Sequence, residues 1–112
     1  MKFFLKLSTK TGWIENKNKD DQFFFKGYLN NLSTDALIEQ ISKLNFNENK
    51  FNKLFKKIDG HFSIIFIRKD KLLIVVDRIS SIPIILAKEK NNVFIADNHT
   101  NLLAILKNRK KL

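Results

Sequence analysis

Cysteine is absent from the 112 residues. That excludes a disulfide framework, a thiolate metal site and a cysteine nucleophile together, and it leaves the redox compartment open. Histidine is almost as scarce: His61 and His99 stand far apart in sequence, without the close spacing of metal-ligand motifs, so no metal cage is expected. The three glycines, Gly12, Gly27 and Gly60, are isolated from one another. No glycine-rich loop can therefore cradle a phosphate, and no nucleotide or other cofactor is expected on this chain. Pro83 is the single proline. Long apolar runs are missing too, since nothing approaches the ~18 residues of a membrane-spanning helix. The opening Met1-Lys2-Phe3-Phe4-Leu5-Lys6 is cut by a charge well short of the ~7–15 apolar residues of a secretory segment. The expectation is one soluble, cytoplasmic domain that does not engage a membrane.

Apolar material is plentiful, at 44% of residues with 11 phenylalanines, which is enough to drive folding. The formal charge of +10 invites a nucleic-acid reading. Its distribution weakens that: residues 98–112 carry +4, whereas 1–27, 28–60 and 61–97 carry +3, +1 and +2. Of the 21 basic residues 18 are lysine, and arginine is the residue that base edges and phosphates select. The charge is concentrated only in the C-terminal tail, residues 107–112, where Lys107, Arg109, Lys110 and Lys111 are the candidate anion contacts. The domain proper is assigned to residues 1–106.

Residues 3–7, 13–14 and 23–29 are short apolar runs between polar stretches and read as strands. From Ser33 the period changes: Ser33 or Thr34 can cap, and Leu37, Ile41 and Leu44 follow at helical spacing. Phe51, Leu54, Phe55 and Ile58 predict a second helix, closed by Asp59-Gly60, with Lys50, Lys53, Lys56 and Lys57 off its apolar stripe. His61 to Arg68 and Lys71 to Asp77 predict a hairpin around Lys69-Asp70, and Ile82 to Ala87 with Val93 to Ala96 predict another. Leu102 to Leu106, after caps at Asn98 or Thr100, make a short last helix. Strands beside paired helices indicate an α+β domain of mostly antiparallel sheets, and strands this apolar are expected to be covered on both faces.

The inventory for catalysis is thin. Ser63, Ser80 or Ser81 with a histidine would need a third orienting group. His61, at a strand end, and Asp77, beside Arg78, read first as structural residues. Trp13 and Phe23 to Phe25 read as core rather than as a base-stacking platform, because adjacent strand residues face opposite sides.

Four stretches occur in a telling order. Phe25-Lys26-Gly27-Tyr28-Leu29-Asn30-Asn31 precedes a helix, and Ile58-Asp59-Gly60-His61-Phe62 opens an aliphatic strand. Ile74-Val75-Val76-Asp77 is followed by Ile82-Pro83-Ile84, and Val93-Phe94-Ile95-Ala96 precedes a leucine-rich helix. Over roughly residues 22–106 this resembles the glutaminase domain of asparagine synthetases, a class II glutamine amidotransferase domain of N-terminal-nucleophile hydrolase fold. The resemblance implies a reduced αββα sandwich of stacked sheets with flanking helices.

The family's chemistry is not implied with it. Its nucleophile is a cysteine exposed at the mature N-terminus, where this chain has Met1 and Lys2. Its oxyanion-hole asparagine falls on Lys26, leaving only Gly27; its strand-end arginine falls on Val76, leaving Asp77; a spacer glycine falls on Ser80. Gly27, Gly60, Asp77 and Pro83 are therefore expected as fold determinants, with no catalytic residue. The resemblance implies a non-catalytic binding or scaffolding module whose partner is a separate ATP-using synthetase-like subunit. Homo-oligomerisation stays open, and a basic nucleic-acid-binding protein is the alternative.

Overall fold

The structure is a computed structural model that describes residues 1–8, 12–77 and 82–108, with Lys107 and Asn108 described by their backbone alone. Among these described residues seven strands form two sheets. The first sheet holds β2 (Ile14–Lys17), β3 (Asp21–Leu29), β4 (Gly60–Arg68) and β5 (Lys71–Val76) in that spatial order, antiparallel throughout. The second holds β1 (Lys2–Lys6), β7 (Asn92–Ala96) and β6 (Ile85–Glu89); β6 is antiparallel to β7, and β1 is parallel to it. Helices α1 (Thr34–Lys43) and α2 (Glu48–Lys56) fall between β3 and β4, and α3 (His99–Asn108) follows β7. The expected α+β class with two mostly antiparallel sheets is thus observed.

Alternation along the strands decides which element covers which face. On one face of the larger sheet Phe23, Phe25, Phe62, Ile64 and Phe66 pack under Leu37 and Ile41 of α1 and Phe51 of α2. Phe24, Ile65 and Ile67 point the other way and meet Val93 and Ile95 of the smaller sheet, joined by Phe3, Leu5 and Trp13. On the far side of the smaller sheet Phe94 is fully buried and stacks on Phe4 at 5.3 Å, and α3 lies across β1, β7 and β6. The order of layers is therefore helix pair, sheet, sheet, helix. Each buried Phe or Ile contributes about 1.5–3 kcal/mol, so both cores depend on the run at 23–25 keeping its register.

Local chemistry sets the boundaries. Ser33 caps α1 by accepting from the Ala36 N–H at 3.1 Å, and Asn47 caps α2 by accepting from the Lys50 N–H at 3.0 Å. Between the helices Asn45 and Phe46 both take positive φ. The strain is offset by burial of the Phe46 ring, 5.2 Å from Phe66 and 5.8 Å from Phe51. Two-residue turns close the β4–β5 and β6–β7 hairpins with Lys69 and Lys90 left-handed.

Four sequence expectations need correction. Asp59-Gly60 does not end α2, whose cap is Lys57; Gly60 instead opens β4. β6 begins at Ile85 and not at Ile82, because Pro83 has no N–H for a ladder and the Ile82 carbonyl accepts from Ser63 Oγ. β2 runs through polar, exposed residues beyond the apolar pair at 13–14. α3 starts at His99, with Asn98 Oδ1 accepting the Asn101 N–H at 2.8 Å, and it extends through Lys107 and Asn108, where a frayed tail is expected. Among the described residues no helix is long and apolar enough to cross a membrane.

Candidate functional site

Three of the four positions singled out in the sequence meet at one end of the larger sheet. In the β3–β4 ladder Gly27 pairs with Phe62, Tyr28 with His61, and Leu29 with Gly60. The two glycines bracket the Tyr28–His61 pair. A Cβ on Gly27, at φ +115°, would collide with the His61 carbonyl oxygen and stand 2.8 Å from Phe62 Cα. A Cβ on Gly60 would collide with the Tyr28 carbonyl oxygen and stand 3.0 Å from Leu29 Cα. Each glycine makes room for the carbonyl that the other's neighbour carries, so both are required by close backbone approach.

Asp77 closes the same end from β5. Its N–H donates to the Phe62 carbonyl at 3.1 Å, and its Oδ2 accepts the Phe62 N–H at 2.9 Å. The carboxylate is 5% exposed, and His61 Nδ1 lies 3.8 Å from Oδ2. Beyond the ladder, Asn30 Nδ2 donates to Asp59 Oδ2 at 3.0 Å, and Asn31 Nδ2 donates to the Lys57 carbonyl at 2.6 Å. These bonds stitch the end of β3 to the segment between α2 and β4, which is why that segment turns into a strand at Gly60.

An open cleft of about 450 Å³ lies beside this crossing, walled by Lys56, Asp59, Gly60, His61, Val76 and Asp77. Gly27 and Pro83 are not among its walls. Pro83 is exposed, in the connection before β6. Lys107 sits in the last turn of α3, whereas Arg109, Lys110 and Lys111 lie outside the described residues, as do Arg78, Ser80 and Ser81. Ser63 is fully buried with its hydroxyl donated to Ile82, so it is committed to structure. Among the described residues no three His, Asp or Glu side chains converge as a metal site.

The start of β1 is at the other end of the molecule. Met1 and Lys2 line a separate cleft of about 420 Å³ with Asn18, Asp20 and Gln22. Gln22 precedes Gly27 on β3 by a stretch of strand about 16 Å long at ~3.3 Å per residue.

Sequence reasoning missed a second polar centre. Asp97, just after β7, accepts five hydrogen bonds from the described residues. Ser8 N–H (2.9 Å) and Trp13 Nε1–H (3.0 Å) reach Oδ2; Asn101 Nδ2 (3.0 Å), Asn98 Nδ2 (3.1 Å) and Ser8 Oγ (3.2 Å) reach Oδ1. Burial pushes the carboxyl up, but the Ser8 backbone, Trp13, Asn101 and the Ser8 hydroxyl together outweigh it and hold Asp97 below its ordinary range. The pair Asp97 and Asn101, one helical turn apart, was the available signal; Ser8 and Trp13 are too distant in sequence to have been paired with them. A third polar tie joins β3, β4 and α1: Arg68 Nε and Nη2 donate to Asp21 at 2.7 and 2.9 Å, and Nη2 also donates to the Ser42 carbonyl at 2.9 Å.

No family model, curated protein or solved structure matches the chain.

Proposed function

We propose that the chain is a non-catalytic glutamine amidotransferase-like domain that acts by binding, with a separate ATP-using synthetase-like subunit as its partner. The observation that carries this reading is the division of labour between the two ends of β3. Gly27, Gly60 and Asp77 are all consumed by backbone geometry and ladder hydrogen bonds, and the start of β1 lies a strand's length away. These three positions of the resemblance are occupied by fold-determining contacts, which supports a role in binding over one in catalysis. The layer order of helices, sheet, sheet and helix is in keeping with a reduced αββα sandwich of the N-terminal-nucleophile hydrolase kind.

The test is glutamine hydrolysis by the purified chain, followed as released ammonia. The expected result is the enzyme-free rate at every pH tried; turnover on the order of 1 s⁻¹ would overturn the reading. Co-elution with a purified ATP-using synthetase subunit supports the partner, and its absence at micromolar concentrations removes that partner from the proposal.

A further inference from the structure

The outer side of the helix pair, away from the larger sheet, holds a groove of about 370 Å³. Its floor is Leu44 and Leu54, half-buried by the core beneath, and its rim is Lys43, Lys50, Lys53 and Lys57, all exposed. Lys43 is paired with Glu39 at 2.8 Å. The other three are in no ion pair among the described residues, and they recur at i, i+3 and i+7 along one stripe of α2 and its cap. Like charges at this spacing repel, so along the stripe itself the ammonium groups oppose one another.

We infer that this groove docks an acidic amphipathic helix of a partner protein, its apolar stripe on Leu44 and Leu54 and its carboxylates on the lysines. The rim from Lys50 to Lys57 spans about 10.5 Å at 1.5 Å per residue, the distance between carboxylates two turns apart on a second helix. Helix-in-groove docking needs an apolar floor with charge at its edges, which is what α1 and α2 present. A nucleic-acid backbone would gain nothing from two leucines, and no ring lies in the groove on which a base could stack. A second copy of the chain does not supply the ligand: α3 has no acidic residue, α2 has only Glu48, and of Asp35 and Glu39 in α1 the latter is already paired, so no described helix offers two unpaired carboxylates. The inference rests on the binding-module reading in taking the chain to act by binding, and it adds where the partner sits and what its surface is made of.

The experiment is fluorescence anisotropy with a labelled synthetic peptide of about 18 residues, leucines at i, i+3, i+4 and i+7 flanked by glutamates. A second peptide has the same composition in scrambled order, and a third replaces the glutamates with lysines. The expected result is binding of the first peptide at about 10–100 μM and at least tenfold weaker binding of the scrambled one. The triple variant Lys50→Glu, Lys53→Glu, Lys57→Glu should lose the first peptide at least tenfold and gain the lysine peptide. That exchange of preference cannot come from misfolding. Equal binding of the ordered and scrambled peptides, an unchanged affinity of the variant, or capture of an oligonucleotide in place of the peptide would overturn it. Failure here with no glutaminase activity removes the groove proposal alone, whereas glutamine turnover removes the non-catalytic reading whatever the peptide does.

Discussion

Gly27 lies so close to His61 that a Cβ on Gly27 would overlap the His61 carbonyl oxygen. Because the obstruction is backbone and φ is +115°, neither rotamer change nor side-chain movement can relieve it. Gly27→Ala is expected to destabilise the domain by about 3 kcal/mol. Gly12→Ala is the internal control: φ is +89° there, but nothing stands within 4 Å. Its cost is confined to the left-handed conformation, about 1–2 kcal/mol. Urea unfolding of both variants checks the order; an equal loss for the two would show that the β3–β4 approach is not the constraint.

The same crossing makes Asp77 a structural carboxylate. Asp77→Ala leaves the buried Phe62 N–H without its side-chain acceptor, a loss of about 1–3 kcal/mol. Asp77→Asn retains an acceptor oxygen and should recover most of it. Thermal unfolding of the pair checks this, and identical melting of the Asn and Ala variants would argue against the hydrogen bond as the cause.

Arg68 and Asp21 bring pH into the stability of the larger sheet. The hydrogen bond from Arg68 lowers the Asp21 carboxyl most, burial opposes it, and the guanidinium charge adds to the lowering. A folded-state value below the unfolded ~3.9 means that the contribution is complete above that pH and is lost as pH falls through the folded value. Asp21→Asn should therefore cost about 1–3 kcal/mol at pH 7 and make the domain less sensitive to acid below pH ~4. Urea midpoints at pH 7 and pH 3 measure both effects. A variant with the wild-type acid slope would contradict the assignment.

These ties explain what the sequence could and could not disclose. The run Phe23-Phe24-Phe25 announces a strand buried on both faces, and alternation sends Phe24 to the sheet interface and its neighbours under the helices. Leu37 and Ile41 mark α1 equally well, because helix periodicity is local. β2 was harder to read, since its residues are exposed and it is held by ladder bonds to β3 rather than by an apolar face. Gly60 followed a lysine-rich helix and carried the local signature of a helix exit, yet its role is set by Tyr28, far away in sequence. Of the candidate site, Gly27, Gly60 and Asp77 were legible as positions, but not the reason they cluster. The Asp97 centre was illegible because its donors come from opposite ends of the chain.

That centre supplies the sharpest test. Both oxygens of Asp97 face donors: Ser8 N–H and Trp13 Nε1–H on one, the Asn98 and Asn101 amides and the Ser8 hydroxyl on the other. In Asp97→Asn, either orientation of the amide turns its NH₂ group against two or more donors, so the expected loss is about 2–4 kcal/mol. Trp13 is the only tryptophan, and its emission reports the break directly. The folded variant should show a shifted indole emission as Nε1 loses its charged acceptor. In the wild-type protein the lowered pKa of Asp97 keeps the full contribution above pH ~3.9, and it is lost as pH falls through the folded value. The Trp13 signal should consequently hold steady down to about pH 4 and change only below it. A transition centred between about pH 5 and 6 would mean that Asp97 is not held in its charged form by these five bonds, and the tie between the first strand and the last helix would have to be sought elsewhere.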